Sequence, residues 1–456
     1  MEGKNSIGSP VHVYGRRPQA AGRTGTAGRM SAAGRTTAVS RIITACIIVS
    51  LFLSGCGKKA EAVAKESDAV ILTVLAGQST SDAGMEDMID EWMEEHYPDV
   101  KLEWECVDWG ESFDAQVRSR FAAGDVPDII VGKAQDVKAY VGTGNLAPIA
   151  ESCSAMIKQD ALDLVTVDGT VYGLPFNAWY QGVLYNKKIF NTYGLEVPQT
   201  REELLKIQEI LTSRGLTPFA GHFQESWNLG NTTMQFMMNE VFCDEPDWGE
   251  QFRKGKVNFS DSPAMRRCLE NNRNSLEHSW EDALSIDQYE SDNRFAGGQA
   301  AMYLTGSWSL QFANQYNRGD EFGIFPYPNE HGDARLLRET NMTFMKSART
   351  GYDELITELF MGIFSDQQLQ SEILDYTQTQ PTVKGFEPEY RSCIQDDIDY
   401  YEQSGQVLDV TIGNNQLVWS YQNAVAAQQQ LWLQGKKSLE EVLEFADDNR
   451  AESMNE

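Results

Sequence analysis

The sequence predicts an α/β protein with parallel sheet in two domains, and three observations carry that reading. Strand and amphipathic-helix patterns alternate from residue 70 to residue 131 at the spacing of parallel crossover units. The 401 residues from Cys56 onward exceed what one core of ordinary size encloses. Beyond residue 131 the chain reads as mostly helical with short strands and shows no internal repeat.

The first 55 residues are set apart from that body. Residues 1–29 are rich in Gly, Arg and Ala without apolar periodicity, and Met30 is read as the true start. Arg35 and Arg41 precede a twelve-residue, largely apolar run at 42–53, which ends in Leu53-Ser54-Gly55-Cys56. A signal peptide has this form. The run is shorter than the ~20 residues needed to span ~30 Å of hydrocarbon. Its terminal cysteine makes it similar to a bacterial lipoprotein signal. That similarity implies acylation of the Cys56 sulfur and a mature chain anchored by lipid on the outer face of a Gram-positive-type cell membrane. Residues 57–68, mostly Lys, Ala and Glu, read as a flexible stalk.

Residues 70–75, Val-Ile-Leu-Thr-Val-Leu, read as a buried strand. Met85, Met88, Ile89, Trp92 and Met93 fall on one helical face that Pro98 closes. Val100, Leu102 and Trp104 alternate with charged residues, giving a second strand with one polar face. Phe113, Val117 and Phe121 mark a second helix ended by Gly124, and Ile129-Ile130-Val131 a third strand. Ligands of parallel sheets sit beyond the carboxyl ends of the strands. Residues 78–81, 108–111 and 132–135 are therefore expected around one crevice, with Gln78, Asp108 and Trp109 as contacts. Further on, 201–211 reads as a helix capped by Thr200, and 351–364 and 417–433 as two more.

Removing residues 1–55 takes away seven of 38 Lys/Arg and one of 67 Asp/Glu, leaving 31 basic and 66 acidic residues, a formal charge of −35. Such a body is repelled by nucleic-acid backbones and anionic lipid surfaces. Five scattered cysteines after Cys56, with no CxxC pair, suggest neither a disulfide scaffold nor a zinc site. His96, His222, His278 and His331 show no metal spacing, and no GxSxG elbow, Walker loop or GxGxxG motif follows a strand. No catalytic residue, metal or cofactor is expected. A surface glycosidase remains the competing class, since a carboxylate pair is defined by a separation the sequence does not contain.

Aromatic residues are more suggestive. Trp109, Trp179, Trp227, Trp308 and Trp419 stand within three residues of Asn, Gln, Gly or Tyr in expected loops. Sugar C–H faces pack on aromatic rings, and sugar hydroxyls pair with amides and carboxylates. Core packing is the commoner role of any single Trp; the shared polar company of this group points to ligand contact.

The order of motifs resembles that of the extracellular solute-binding proteins of ABC importers, in the branch of maltodextrin- and other carbohydrate-binding lipoproteins. The residues that carry it begin with Glu94-Glu95-His96-Tyr97-Pro98-Asp99-Val100 and Phe121-Ala122-Ala123-Gly124-Asp125-Val126-Pro127-Asp128-Ile129. Val167-Asp168-Gly169-Thr170-Val171-Tyr172-Gly173-Leu174-Pro175 and Leu184-Tyr185-Asn186-Lys187-Lys188-Ile189-Phe190 follow. Then come Gly194-Leu195-Glu196-Val197-Pro198-Gln199-Thr200 and Ala300-Ala301-Met302 with Gly306-Ser307-Trp308. The resemblance covers roughly residues 69–446.

The resemblance implies a two-lobed, periplasmic-binding-protein-like fold whose lobes close on ligand about a multi-strand hinge. Lobe 1 is expected at 69–176 and 323–376, and lobe 2 at 177–322 and 377–456. It further implies a monomer that binds a carbohydrate and delivers it to membrane permease subunits, with a sensor kinase as the alternative recipient. By motif, Trp308, Trp419 and Trp227 match the family's aromatic platforms, and Asn177 and Trp179 fall at the first crossover. Trp308→Ala is expected to weaken binding without altering stability. Glu225 and Gln380 are expected hydroxyl partners with no motif behind them.

Overall fold

The computed structural model describes residues 69–78, 84–109, 111–311, 321–387, 392–410 and 417–454. The signal, Cys56 and the stalk lie outside the described residues.

The alternation expected in the first third folds as parallel sheet. Strand Val70–Gln78 runs parallel to Val100–Asp108 in register from Val70↔Val100 to Gln78↔Asp108, and on its other side to Ile129–Gly132. Helix Met85–His96 buries Met85, Ile89 and Met93 against it, the stripe that the helical period requires. Helices Arg201–Ser213, Asp353–Ser365 and Trp419–Leu433 form where apolar periodicity placed them. The Thr200 hydroxyl accepts from the Glu203 N–H while the Glu203 side chain returns to the Thr200 N–H, a capping box that fixes this start.

Two apolar cores result. One gathers Leu72, Val74, Phe113, Ile130, Phe176, Met342, Phe344, Phe360 and Ile373. The other gathers Val183, Phe219, Phe236, Phe252, Phe295, Phe325, Leu337, Ile398 and Val442. A continuous sheet passes between them. From the outer edge of lobe 1 its order is Val100–Asp108, Val70–Gln78, Ile129–Gly132, Leu336–Ser347, Leu174–Asn186, Ala300–Gly306 and Thr217–Ala220.

The long antiparallel pair Leu174–Asn186 and Leu336–Ser347 is the hinge, and the short strand Gln380–Pro381 adds a third crossing on Ala178 and Asn177. Phe322, Ile324, Phe325, Tyr327, Leu336 and Leu337 all belong to the lobe 2 core. The expected return to lobe 1 at residue 323 is therefore corrected: the chain returns within Leu336–Ser347, because strand Phe322–Phe325 pairs with the far end of the crossover strand at 183–186. Midway, Met342 is buried with φ 47, a left-handed conformation costing a non-glycine residue ~1–2 kcal/mol. The side chain is held there by the lobe 1 core.

Candidate cleft between the lobes

The hinge pair decides which side chains share a face. Neighbours along a strand point to opposite sides, whereas directly paired residues point to the same side. The pairs Trp179↔Glu339 and Asn177↔Asn341, with Gln181, therefore look one way, and Ala178↔Thr340 and Tyr180↔Arg338 look the other. The first face meets the carboxyl ends of the lobe 1 strands.

On that face an ion pair joins lobe 1 to the hinge. Lys133, the residue after strand Ile129–Gly132, places Nζ 2.9 Å from Glu339 Oε1, and Gln181 Nε2 donates to Glu339 Oε2 at 2.8 Å. Glu339 is 5 % exposed. Burial works to lower the Lys133 pKa, but the charge and hydrogen bond of Glu339 outweigh it and hold it above the ordinary value. The same ammonium lies 5.5 Å from the centre of the Trp109 ring and 6.0 Å from that of Trp419. One side chain thus joins an aromatic of each lobe to the hinge carboxylate.

Close backbone approach explains where the rings sit. A Cβ on Gly77 would fall 1.9 Å from the Trp109 ring, and one on Gly306 2.0 Å from the Trp308 ring. Each glycine makes room for an indole to lie flat on a strand end. Trp109 is braced edge-on by Phe113 at 5.2 Å, and Trp308 meets Trp179 edge-on at 5.4 Å. The Ser307 hydroxyl accepts from the Tyr180 N–H, tying the Trp308 turn to the crossover strand. Trp419, at the first turn of its helix, packs over Gly230. Trp227 is three residues before Gly230 on helix Ser226–Met237, hence on the same side of it.

Trp109, Trp419, Trp179 and Trp308 are therefore brought to one face, around a pair that the sequence reading did not single out. Lys133 lay within the strand-end segment 132–135. Nothing local marks Glu339 or Gln181, whose significance comes from pairing across 158 residues. The polar floor has free capacity: Asn177 Oδ1, Trp179 Nε1, Gln181 Oε1 and both amide atoms of Asn341 are buried without a hydrogen-bond partner.

Other expected contacts sit differently. Trp308 is only 7 % exposed, so the expectation that its truncation spares stability is corrected. Asn177 is wholly buried and donates to Thr379 Oγ1 at 3.0 Å. Glu225 is occupied: its Oε2 lies 3.1 Å from His222 Nδ1 and accepts from the Gln288 N–H at 3.1 Å. Burial disfavours its charge, but these bonds and one with Trp227 hold its pKa below the usual range. It anchors the Trp227 platform. Asp108 is exposed at its strand end. Gln78 pairs with Asp108 through the backbone, and its side chain lies outside the described residues.

Gln380 is corrected outright. Paired with Ala178, it shares the opposite face and lines a cavity of about 590 Å³ behind the hinge, with Tyr180, Arg338, Thr340 and Asp160. There Arg338 bridges Asp160 of lobe 1 (2.7 Å) and Asp409 of lobe 2 (2.7 Å). All five cysteines among the described residues are free, and these residues hold no metal-binding cluster.

Residues 76–361 match the family model of the bacterial extracellular solute-binding proteins. The chain belongs to that family. This solute-binding protein is similar to the multiple sugar-binding protein of Streptococcus mutans, 24 % identical over 360 residues, 76 % of this chain and 83 % of that one. It is also similar to the galactooligosaccharide-binding protein of Bacillus subtilis, 22 % identical over 75 % of this chain and 80 % of that protein. Among solved structures, a chitin oligosaccharide binding protein superposes with TM-score 0.71 at 21 % identity, over 85 % of this chain and 99 % of its own. These likenesses show the two-lobed fold, with the cleft between lobes.

Proposed function

We propose that this solute-binding protein captures a sugar or oligosaccharide between its lobes and hands it to the permease of an ABC importer, tethered to the outer membrane face through Cys56. The observation that carries the reading is the convergence of Trp109, Trp179, Trp308 and Trp419 on a floor of amides and one carboxylate. Aromatic faces hold the apolar sides of sugar rings, and the Asn177, Gln181 and Asn341 amides pair with hydroxyls. The names of the sugar-binding relatives support the ligand class. The family is one of binding proteins, which supports capture over turnover and delivery to a permease over a sensor kinase.

Isothermal titration calorimetry against mono-, di- and oligosaccharides tests the assignment. Binding of at least one saccharide, with release of no reducing ends on incubation, is expected. No binding across the panel would exclude the sugar reading, and new reducing ends would mean a glycosidase.

A further inference from the structure

We propose that Lys133 and Glu339 form a charge-selection pair in the cleft, which admits electroneutral saccharides and rejects those bearing a carboxylate or an amine. This rests on the reading of the cleft as a sugar site and names the class of sugar it takes.

The geometry behind it is a closed electrostatic circuit. Glu339 is buried, and its two oxygens are engaged by Lys133 Nζ at 2.9 Å and Gln181 Nε2 at 2.8 Å. The Lys133 ammonium in turn lies 5.5 Å from the centre of the Trp109 ring and 6.0 Å from that of Trp419, the aromatics read as sugar platforms. A ligand thus meets both charges at once. A hydroxyl suits them, because it accepts from the ammonium and donates to the carboxylate. A ligand carboxylate brought to Lys133 comes within a few ångströms of Glu339, and a ligand amine brought to Glu339 meets Lys133. Like charges so placed repel strongly away from bulk water, and breaking the Lys133–Glu339 bond strands one buried charge. Selection by unfavourable contacts is a general source of specificity. Asp114 and Asp136 also act on Lys133, so rejection is stronger against anions than against amines.

The test is calorimetry at pH 7.5 with matched saccharides on the full mature chain. The neutral set is galactobiose, raffinose, xylotriose and N-acetylated chitotriose. The charged set is digalacturonate, raffinose oxidised at the galactose C6, xylobiose bearing a glucuronate, and deacetylated chitotriose. The tightest neutral ligand should exceed its charged counterpart by about 100-fold, equivalent to about 2.7 kcal/mol. Glu339→Gln leaves Lys133 unopposed and should raise the uronate-to-neutral affinity ratio by about 10-fold or more. Lys133→Met should do the same for the amine. A residue that merely braces the hinge would lower all affinities together and leave these ratios unchanged, and that result overturns the proposal.

Equal affinity of the wild type for neutral and charged partners also overturns it, with no variant needed. Should a single variant fail to fold, the electroneutral Lys133→Met/Glu339→Gln double variant replaces it, and undiminished discrimination there overturns the pair. If charged saccharides bind and neutral ones do not, the pair is refuted while the sugar reading stands. If nothing in either set binds, the sugar reading falls and this inference with it.

Discussion

Trp308→Ala separates two roles that the structure gives to one side chain. The indole is 7 % exposed, lies flat on Gly306 and meets Trp179 edge-on at 5.4 Å. Removing it empties a packed site, and truncating a core aromatic costs ~3–5 kcal/mol. The same loss strips the cleft of a ring face and frees Trp179 to shift. Trp419 makes a control, since it is only half-buried and packs over Gly230 beneath Lys133. Its truncation should cost unliganded stability no more than the Lys133 cation–π contact, ~0.5–1 kcal/mol. The loss of ring stacking, ~0.5–1.5 kcal/mol, should weaken saccharide binding about 2- to 13-fold. Urea unfolding of the unliganded proteins, paired with calorimetric titration, reads both quantities. A Trp308→Ala protein whose unliganded stability stays within about 0.5 kcal/mol of wild type, well inside the spread of surface substitutions, would refute the packing argument.

Three further outcomes are expected. Burial pushes the Asp292 carboxyl up to about 8, so the folded protein keeps a proton that the unfolded chain loses near pH 4. Stability from this group is full below that value and falls by up to ~1.4 kcal/mol per pH unit as pH rises toward 8. Asp292→Asn should flatten the fall in pH-dependent urea unfolding, and an unchanged slope would contradict it. Arg338→Met leaves Asp160 and Asp409 without their shared partner behind the hinge. The partial exposure of both carboxylates places the loss between that of surface and buried pairs, about 2 kcal/mol; a stability equal to wild type would show the bridge to be ornamental. Cys56→Ser should release the folded protein from washed membranes, and retention in the pellet would rule out a lipid as its attachment.

Much of the fold was legible because its signals are local. The apolar stripe Met85, Ile89, Met93 predicts which helix face is buried, and the Thr200 cap predicts where a helix starts, since capping bonds span only three residues. Several cleft residues were legible for a related reason. Trp109 and the segment 132–135 that holds Lys133 follow strand ends, and parallel strands deliver their carboxyl ends to one place. Trp308 was visible through its Gly306-Ser307 lead-in, but its burial was not, because that depends on Trp179, which arrives from 129 positions earlier in the chain.

By itself the sequence determined the class of fold, five of the helices and the first three strands, the family motifs and a strongly acidic body. Each follows from propensity, periodicity or charge acting over a few residues. The tertiary structure alone decided where the chain returns to lobe 1, that Gln380 lies behind the hinge and Glu225 beneath Trp227, and that Lys133 meets Glu339 close to two indoles. These are matters of strand register: shifting the 174–186 and 336–347 pairing by one residue would turn Glu339 to the other face. Register is set by the packing of two cores on either side of the hinge, a long-range balance that no local stretch of residues contains.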